Sequence, residues 1–208
     1  MDARFWNDRY GAEAGHIFGT TPNEFLESVA RQIPPGPVLC LAEGEGRNAV
    51  HLATLGHAVT AVDQSAVGLS KAQRLAATRG VALTTVVADL ATFPIGPHEW
   101  SGIVSIFAHL PPVLRRTVHA AAVRGLAPGG VFILEAYTPA QLAFATGGPK
   151  DPALLMRLDD LRDELAGLEL LVARELEREV REGPAHSGPA AVVQILGRRP
   201  AAAGPSAA

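Results

Sequence analysis

The chain has 208 residues, of which 48% are hydrophobic and 19% charged, the size and mix of one globular domain with a sizeable core. A formal net charge of −3 argues against a nucleic-acid surface, which carries a basic stripe. A single cysteine, Cys40, excludes an intrachain disulfide and a multi-cysteine zinc site, so no metal is expected.

The first ten residues are charged and lack an apolar segment, so no signal peptide is expected. No run of about 18 apolar residues predicts a membrane helix. The expectation is a cytoplasmic monomer or homodimer, without nucleic-acid or membrane partners. One domain is expected over 1–199, followed by a disordered tail, 200–208. The domain divides into an arm or lid (1–20), a ligand-binding core (21–137), and a closing part with a terminal hairpin (138–199).

Along the arm, Phe5, Trp6, Tyr10 and Phe18 are spaced by glycines, which suits a folded lid better than a polar tail. Thr21-Pro22-Asn23-Glu24 reads as a capping box, with Thr21 as N-cap and Pro22 at the first helical position. The helix it starts carries Phe25, Leu26, Val29 and Ile33 as a stripe and stops at Pro34-Pro35-Gly36. Residues 38–41 are a short buried strand. Gly44-Glu45-Gly46 turns into a helix over 48–55, which Gly56 ends. Strands follow at 58–62, 83–87, 103–107 and 131–136. Between them, Ser65 caps a long helix reaching Gly80, and another helix runs over 112–126. The last third predicts a helix over 159–165, then strands near 168–180 and 191–196. Short apolar strands alternating with helices mean a mostly parallel, Rossmann-like α/β sheet covered on both faces. The terminal hairpin adds an antiparallel strand.

Ligands of such a sheet bind at the carboxyl ends of the strands. The first strand is followed by Glu43, Gly44, Gly46, Arg47 and Asn48, where glycines let backbone approach a ligand. Asp63 follows the second strand and is either a helix cap or a holder of ribose hydroxyls. Asp89 and Leu90 follow the third. Phe107, Ala108 and His109 follow the fourth, and Tyr137 and Thr138 the fifth. A lone G-x-G also fits a turn that binds nothing. Together with two acids and a Pro-Gly-Gly within 100 residues, the set suits a nucleoside ligand with an acid at each end.

Residues 38–135 resemble the core of class I S-adenosylmethionine-dependent methyltransferases. VLCLAEGEGRNAVHLA is similar to that fold's first motif, AVDQS to the second, VADL to the third and LAPGGVFILE to a later one. FWNDRY, PNEFL, GEGRNA and EGPAHSGPAAVVQILGR resemble the tellurite-resistance TehB-like and thiopurine methyltransferase group. The resemblance implies S-adenosylmethionine as cofactor and S-adenosylhomocysteine as product. Gly44 and Gly46 would pass beside the methionine part. Asp63, with Gln64 beside it, would hold the ribose. Asp89 and Leu90 would read the adenine edge, and Phe107 would lie near the methionine or adenosine. Many class I enzymes place an acid where Cys40 stands. Glu43 is expected either to reach the cofactor's amino group instead or to order the loop, and Cys40 to be a small buried hydrophobe.

Methyl transfer from a sulfonium needs a nucleophile aligned about 3–3.5 Å from the carbon. Ionised soft nucleophiles need no base, whereas neutral ones use one, most often histidine. His109 and His186 are the candidates because both are expected at the ligand end. Tyr10, Arg47, Arg181 and Ser187 are candidate acceptor contacts, the last two as an anion site. Residues 107–112, FAHLPP, lack the motif of adenine or glutamine amino methylation. The absence of a second domain predicts a small-molecule acceptor, and the resemblance implies a thiol, selenium or tellurium compound. Alternatives are O- or N-methylation of a metabolite, a non-catalytic cofactor binder, or a nicotinamide dehydrogenase. The last lacks a lysine four residues after either Tyr10 or Tyr137.

Overall fold

The computed structural model describes residues 2–144, 146–183 and 186–201. Most of the expected tail, 202–208, lies outside them. Two helices come first, α1 (Ala3–Gly11) and α2 (Glu24–Val29). Strands β1 (Pro37–Leu41), β2 (Ala58–Asp63), β3 (Thr84–Val87), β4 (Trp100–Ile106) and β5 (Leu126–Tyr137) follow. Helix α3 (Arg47–Thr54) joins β1 to β2, α4 (Ala66–Thr78) joins β2 to β3, and α5 (Pro112–Gly125) joins β4 to β5. Helix α6 (Leu158–Glu164) then leads into two long strands, β6 (Glu169–Arg181) and β7 (Ser187–Arg198).

The seven strands form one sheet in the order β3-β2-β1-β4-β5-β7-β6. The first five pair in parallel, β7 runs antiparallel to β5, and β6 antiparallel to β7. Two reversals return β6 to the direction of β5, so the β6–β7 loop lies at the carboxyl end of the parallel strands.

Side chains alternate across the sheet. Val38 and Cys40 of β1 pack with Phe25, Leu26, Leu52 and Leu69 under α2, α3 and α4. Leu39 and Leu41 pack with Val118, Ala122 and Leu161 under α5 and α6. Cys40 is fully buried, and burial together with Glu43 pushes its thiol well above the ordinary range.

Two local expectations are corrected. The N-cap of α2 is Asn23, whose Oδ1 accepts the Leu26 N–H at 2.9 Å. Asn23 wins over Thr21 because its amide also donates to two buried carboxylates, Glu135 and Glu182. Residues 127–130, expected to lie between the helix and the fifth strand, belong to β5, with an irregularity between Trp100 and Gly102 of β4. The predicted cap of α4 is present: Ser65 Oγ accepts the Gly68 N–H at 3.0 Å.

Candidate functional site

A cavity of about 900 Å³ opens at the carboxyl ends of β1, β2, β3, β4 and β5. That is at the upper end of the roughly 300–1,000 Å³ of small-molecule pockets. Two left-handed residues mark its floor, Ala42 after β1 at φ +49° and Phe107 after β4 at φ +53°. Such backbone costs a non-glycine residue about 1–2 kcal/mol and clusters at functional sites.

At one end the β1–α3 loop is held by carboxylates. Asp63 Oδ2 accepts the Gly44 N–H at 2.9 Å and Oδ1 the Ser65 N–H at 2.7 Å. A carboxylate offers about four acceptor positions, so Asp63 keeps capacity toward the cavity it lines. Desolvation raises its pKa despite these bonds. Glu43 Oε1 accepts the Asn48 and Ala49 N–H groups at 3.0 and 2.8 Å. It therefore caps α3 and orders the loop, the second of its two expected roles. Burial pushes its pKa up to about 7, against the pull of those N–H groups and Arg47. Gln64, Asp89 and Leu90 also line the cavity. Asp89 Oδ1 accepts the Ala91 N–H at 2.8 Å.

The two glycines are not among the lining residues. A Cβ on Gly44 would stand 2.4 Å from the Tyr10 hydroxyl oxygen, and one on Gly46 2.5 Å from Cβ of Ala72. They let the loop pass beneath α1 and against α4, while Glu43 and Arg47 turn toward the cavity.

Helix α1 lies over that loop. Tyr10 is buried and stacks on Trp6 with ring centroids 5.4 Å apart. Asn7 Oδ1 accepts from the Ser65 hydroxyl at 2.7 Å and the Val67 N–H at 3.2 Å. The arm's return is pinned by Lys71, whose Nζ donates to the Glu13 and Gly15 carbonyls and to Glu45 Oε1. Glu45 Oε2 accepts the Ile17 N–H at 2.8 Å. Sequence reasoning missed this pair. A charged residue on a helix face otherwise made of small and apolar side chains was the available signal.

The other end is aromatic. Phe107 lies 4.6 Å from Tyr137 and 5.0 Å from His186, and Phe18 lies 4.5 Å from His186, between ring centroids. His109 Nδ1 sits 2.9 Å from the Leu154 carbonyl, so it carries the proton and donates. Its Nε2 accepts the Tyr137 N–H at 3.4 Å. Both ring nitrogens are thus engaged. Burial pulls the His109 pKa down to about 4. Burial, then the charge of Arg47, pulls His186 down to about 3. Both imidazoles are neutral near pH 7.

Beneath the rings runs a buried polar network. Glu182 takes Arg47 Nη2, the Asn23 amide at 2.7 Å and Arg178 Nη2 at 3.1 Å. Glu135 takes the Asn23 amide, the Gln194 amide, and Nε and Nη2 of Arg178. Two cations and two carboxylates balance here. Arg47 lines the cavity as expected. Arg181 and Ser187 do not: they are exposed and face each other across the β6–β7 register. Of the basic and acidic groups on the hairpin, Glu182 is buried and Arg178 half-buried beside it. Sequence reasoning passed over Tyr137 as a site residue and over Glu182 altogether.

A family model described as a methyltransferase domain matches residues 38–130, which run from β1 into β5. Over that stretch, less than half of the chain, the protein is similar to a methyltransferase domain.

A curated relative, the uncharacterized methyltransferase YodH of Bacillus subtilis (strain 168), is 28% identical over 96 residues. The match covers 46% of this chain and 41% of YodH. A solved structure from work on converting a disulfide bond into a thioacetal group in echinomycin biosynthesis is 25% identical. It matches with a TM-score of 0.70 over 95% of this chain and 92% of its own. TehB from Haemophilus influenzae matches at a TM-score of 0.67 and 18% identity, over 95% of this chain and 66% of TehB. At that identity the likeness to TehB is one of fold. Among the described residues, no helix is long and apolar enough to cross a membrane.

The residues fit the cofactor. An acid with spare acceptor positions at β2 would take a ribose, Asp89 and Leu90 after β3 would take an adenine edge, and the cavity continues to the aromatic end.

Proposed function

We propose that this domain transfers a methyl group from S-adenosylmethionine to a small acceptor through sulfur, selenium or tellurium. The observation that carries the choice of acceptor is the state of the two candidate bases. His109 has both nitrogens engaged, and His109 and His186 are held neutral with depressed pKa values of about 4 and 3. A base that weak takes little of a proton from an alcohol or a protonated amine. An acceptor that ionises by itself, such as a thiol or a chalcogen oxyanion, needs none. The likeness to a protein of disulfide chemistry agrees with this.

When bound, S-adenosylmethionine supplies a methyl carbon already activated by its sulfonium leaving group. In this reading Asp63, with Gln64 beside it, holds the ribose hydroxyls. Asp89 and Leu90 meet the adenine edge, and Glu43 keeps the loop and α3 in place. Phe107 separates the cofactor end from the acceptor end. Tyr10 and Trp6 close the roof and exclude water. His109 fixes the 154 loop against β5 rather than moving a proton.

The pH dependence tests it. With thiols of graded acidity, kcat/KM should rise with each acceptor's own ionisation and then level, its midpoint following the thiol. A midpoint that stays near 6–7 whichever thiol is used would mean an enzyme base and would overturn this assignment.

A further inference from the structure

Three buried polar atoms of the aromatic end have no partner among the described residues: Arg47 Nη1, the Tyr137 hydroxyl and His186 Nδ1. All three residues line the same cavity. Arg47 is 7% exposed and Tyr137 1%. A buried donor left unsatisfied is unfavourable and rare, and three on one cavity wall are a site awaiting a partner.

The chemistry of that partner follows from what is left over. The carboxylates nearby are saturated: Glu182 and Glu135 take Asn23, Arg47, Arg178 and Gln194 between them. Arg47 spends Nη2 on Glu182 and keeps Nη1. A guanidinium can only donate. The Tyr137 phenol is held protonated, chiefly by burial and then by Glu182, so it too offers a proton. Arg47, Arg9 and Arg178 act on His186 with one sign. The unpartnered hydrogen-bonding positions are therefore mostly donors, beside aromatic faces.

Resting on the methyltransferase reading above, we propose that the acceptor is bound as an anion, its negative group seated on Arg47 Nη1 and the Tyr137 hydroxyl and its body against Phe107 and His186. The anion is either the ionised chalcogen itself or a carboxylate carried beside it. Arg47 is thereby a specificity residue: it selects acceptors that arrive ionised, which is what a site with neutral histidines requires.

The test uses the full chain with S-adenosylhomocysteine affinity measured first, by calorimetry. Wild type, Tyr137→Phe and Arg47→Lys are then compared in rate with benzenethiol, 4-mercaptobenzoate and aniline, and in calorimetric binding of benzoate to the S-adenosylhomocysteine complex. Tyr137→Phe removes only an unpartnered oxygen, so its melting temperature should hold or rise, which a structural hydroxyl would not allow. It should nevertheless raise KM for an anionic acceptor by about tenfold or more, as expected for a bond to a charged group. The S-adenosylhomocysteine Kd should stay within about twofold, and aniline should remain a poor acceptor throughout. If the anion is the nucleophile, both thiols lose equally. If it is a carried carboxylate, only 4-mercaptobenzoate and benzoate lose. Should Arg47→Lys fail to fold, Tyr137→Phe carries the test alone.

The proposal is overturned if the variants weaken S-adenosylhomocysteine instead of the acceptor, since the two residues would then serve the cofactor. It is also overturned if wild type prefers aniline, or if Tyr137→Phe leaves both thiols and benzoate as in wild type. Failure of wild type to bind S-adenosylhomocysteine at all is the separate failure of the methyltransferase reading.

Discussion

At the scale of single residues, Asp63 does two jobs, closing the β1–α3 loop through Gly44 and facing the cavity. Asp63→Ala should weaken S-adenosylhomocysteine binding by roughly 10–100-fold, the worth of one or two bonds to a charged group. Calorimetry on a variant shown to be folded by circular dichroism checks this; an unchanged Kd would remove Asp63 from the site. The buried titratable groups also set acid stability. The folded pKa values of His109 and His186, about 4 and 3, lie below the ordinary 6.5. Their contribution is present above pH 6.5 and is lost as pH falls toward those values. Glu43 has the opposite sign: its folded pKa, about 7, lies above the ordinary 4.5. Its contribution is present below 4.5 and lost as pH rises through 7. Asp63, also raised, acts with Glu43, while His51 and Glu164, both lowered, act with the two histidines, which leaves the fold less stable in acid. Urea midpoints from pH 7 to 4.5 should fall, less steeply in His109→Gln and more steeply in Glu43→Gln. Equal slopes in all three would contradict these assignments.

At the scale of elements, the strands and their intervening helices were legible because buried apolar runs and Gly, Pro and Ser punctuation act locally. Ser65 caps α4 in the structure as its place before an apolar helix implies. What was not legible depends on contacts far apart in the chain. Thr21 had every local feature of an N-cap, yet Asn23 takes the place because Glu135 and Glu182, 112 and 159 residues away, hold its amide. Arg181 and Ser187 lay near the right end of the sheet, but strand alternation turns Arg181 outward and leaves Val180 buried and Glu182 in the network. Only the register of β6 decides which of two neighbouring residues faces inward. The arm supplies a further prediction. Lys71 and Glu45 form a buried pair, at 6% and 2% side-chain exposure, that holds residues 13–17. Lys71→Met leaves Glu45 buried and uncompensated, a loss of about 3–5 kcal/mol. Limited proteolysis should then cut the arm first, within residues 11–20, while the sheet stays protected. Cutting elsewhere first would mean that Lys71 is not what holds the arm.

At the scale of the whole molecule, the sheet order places five parallel strand ends and the β6–β7 loop around one cavity. The long hairpin brings Arg178, Glu182 and His186 to a site that β1 to β5 alone would leave open on one side. The cofactor end was readable in sequence, because its acids sit directly after strands. The acceptor end was readable only in part. Phe107, His109 and Tyr137 follow strands, but their pairing with Phe18, Arg47 and His186 is made by folding. The proposed reaction is methyl transfer from S-adenosylmethionine to an acceptor that ionises by itself. It is tested most directly by S-adenosylhomocysteine formation, followed by mass spectrometry, with small thiols, selenite and tellurite set against phenols and amines. Product is expected with the first group alone, and its loss in Asp63→Ala. Product with phenols or amines alone would contradict it.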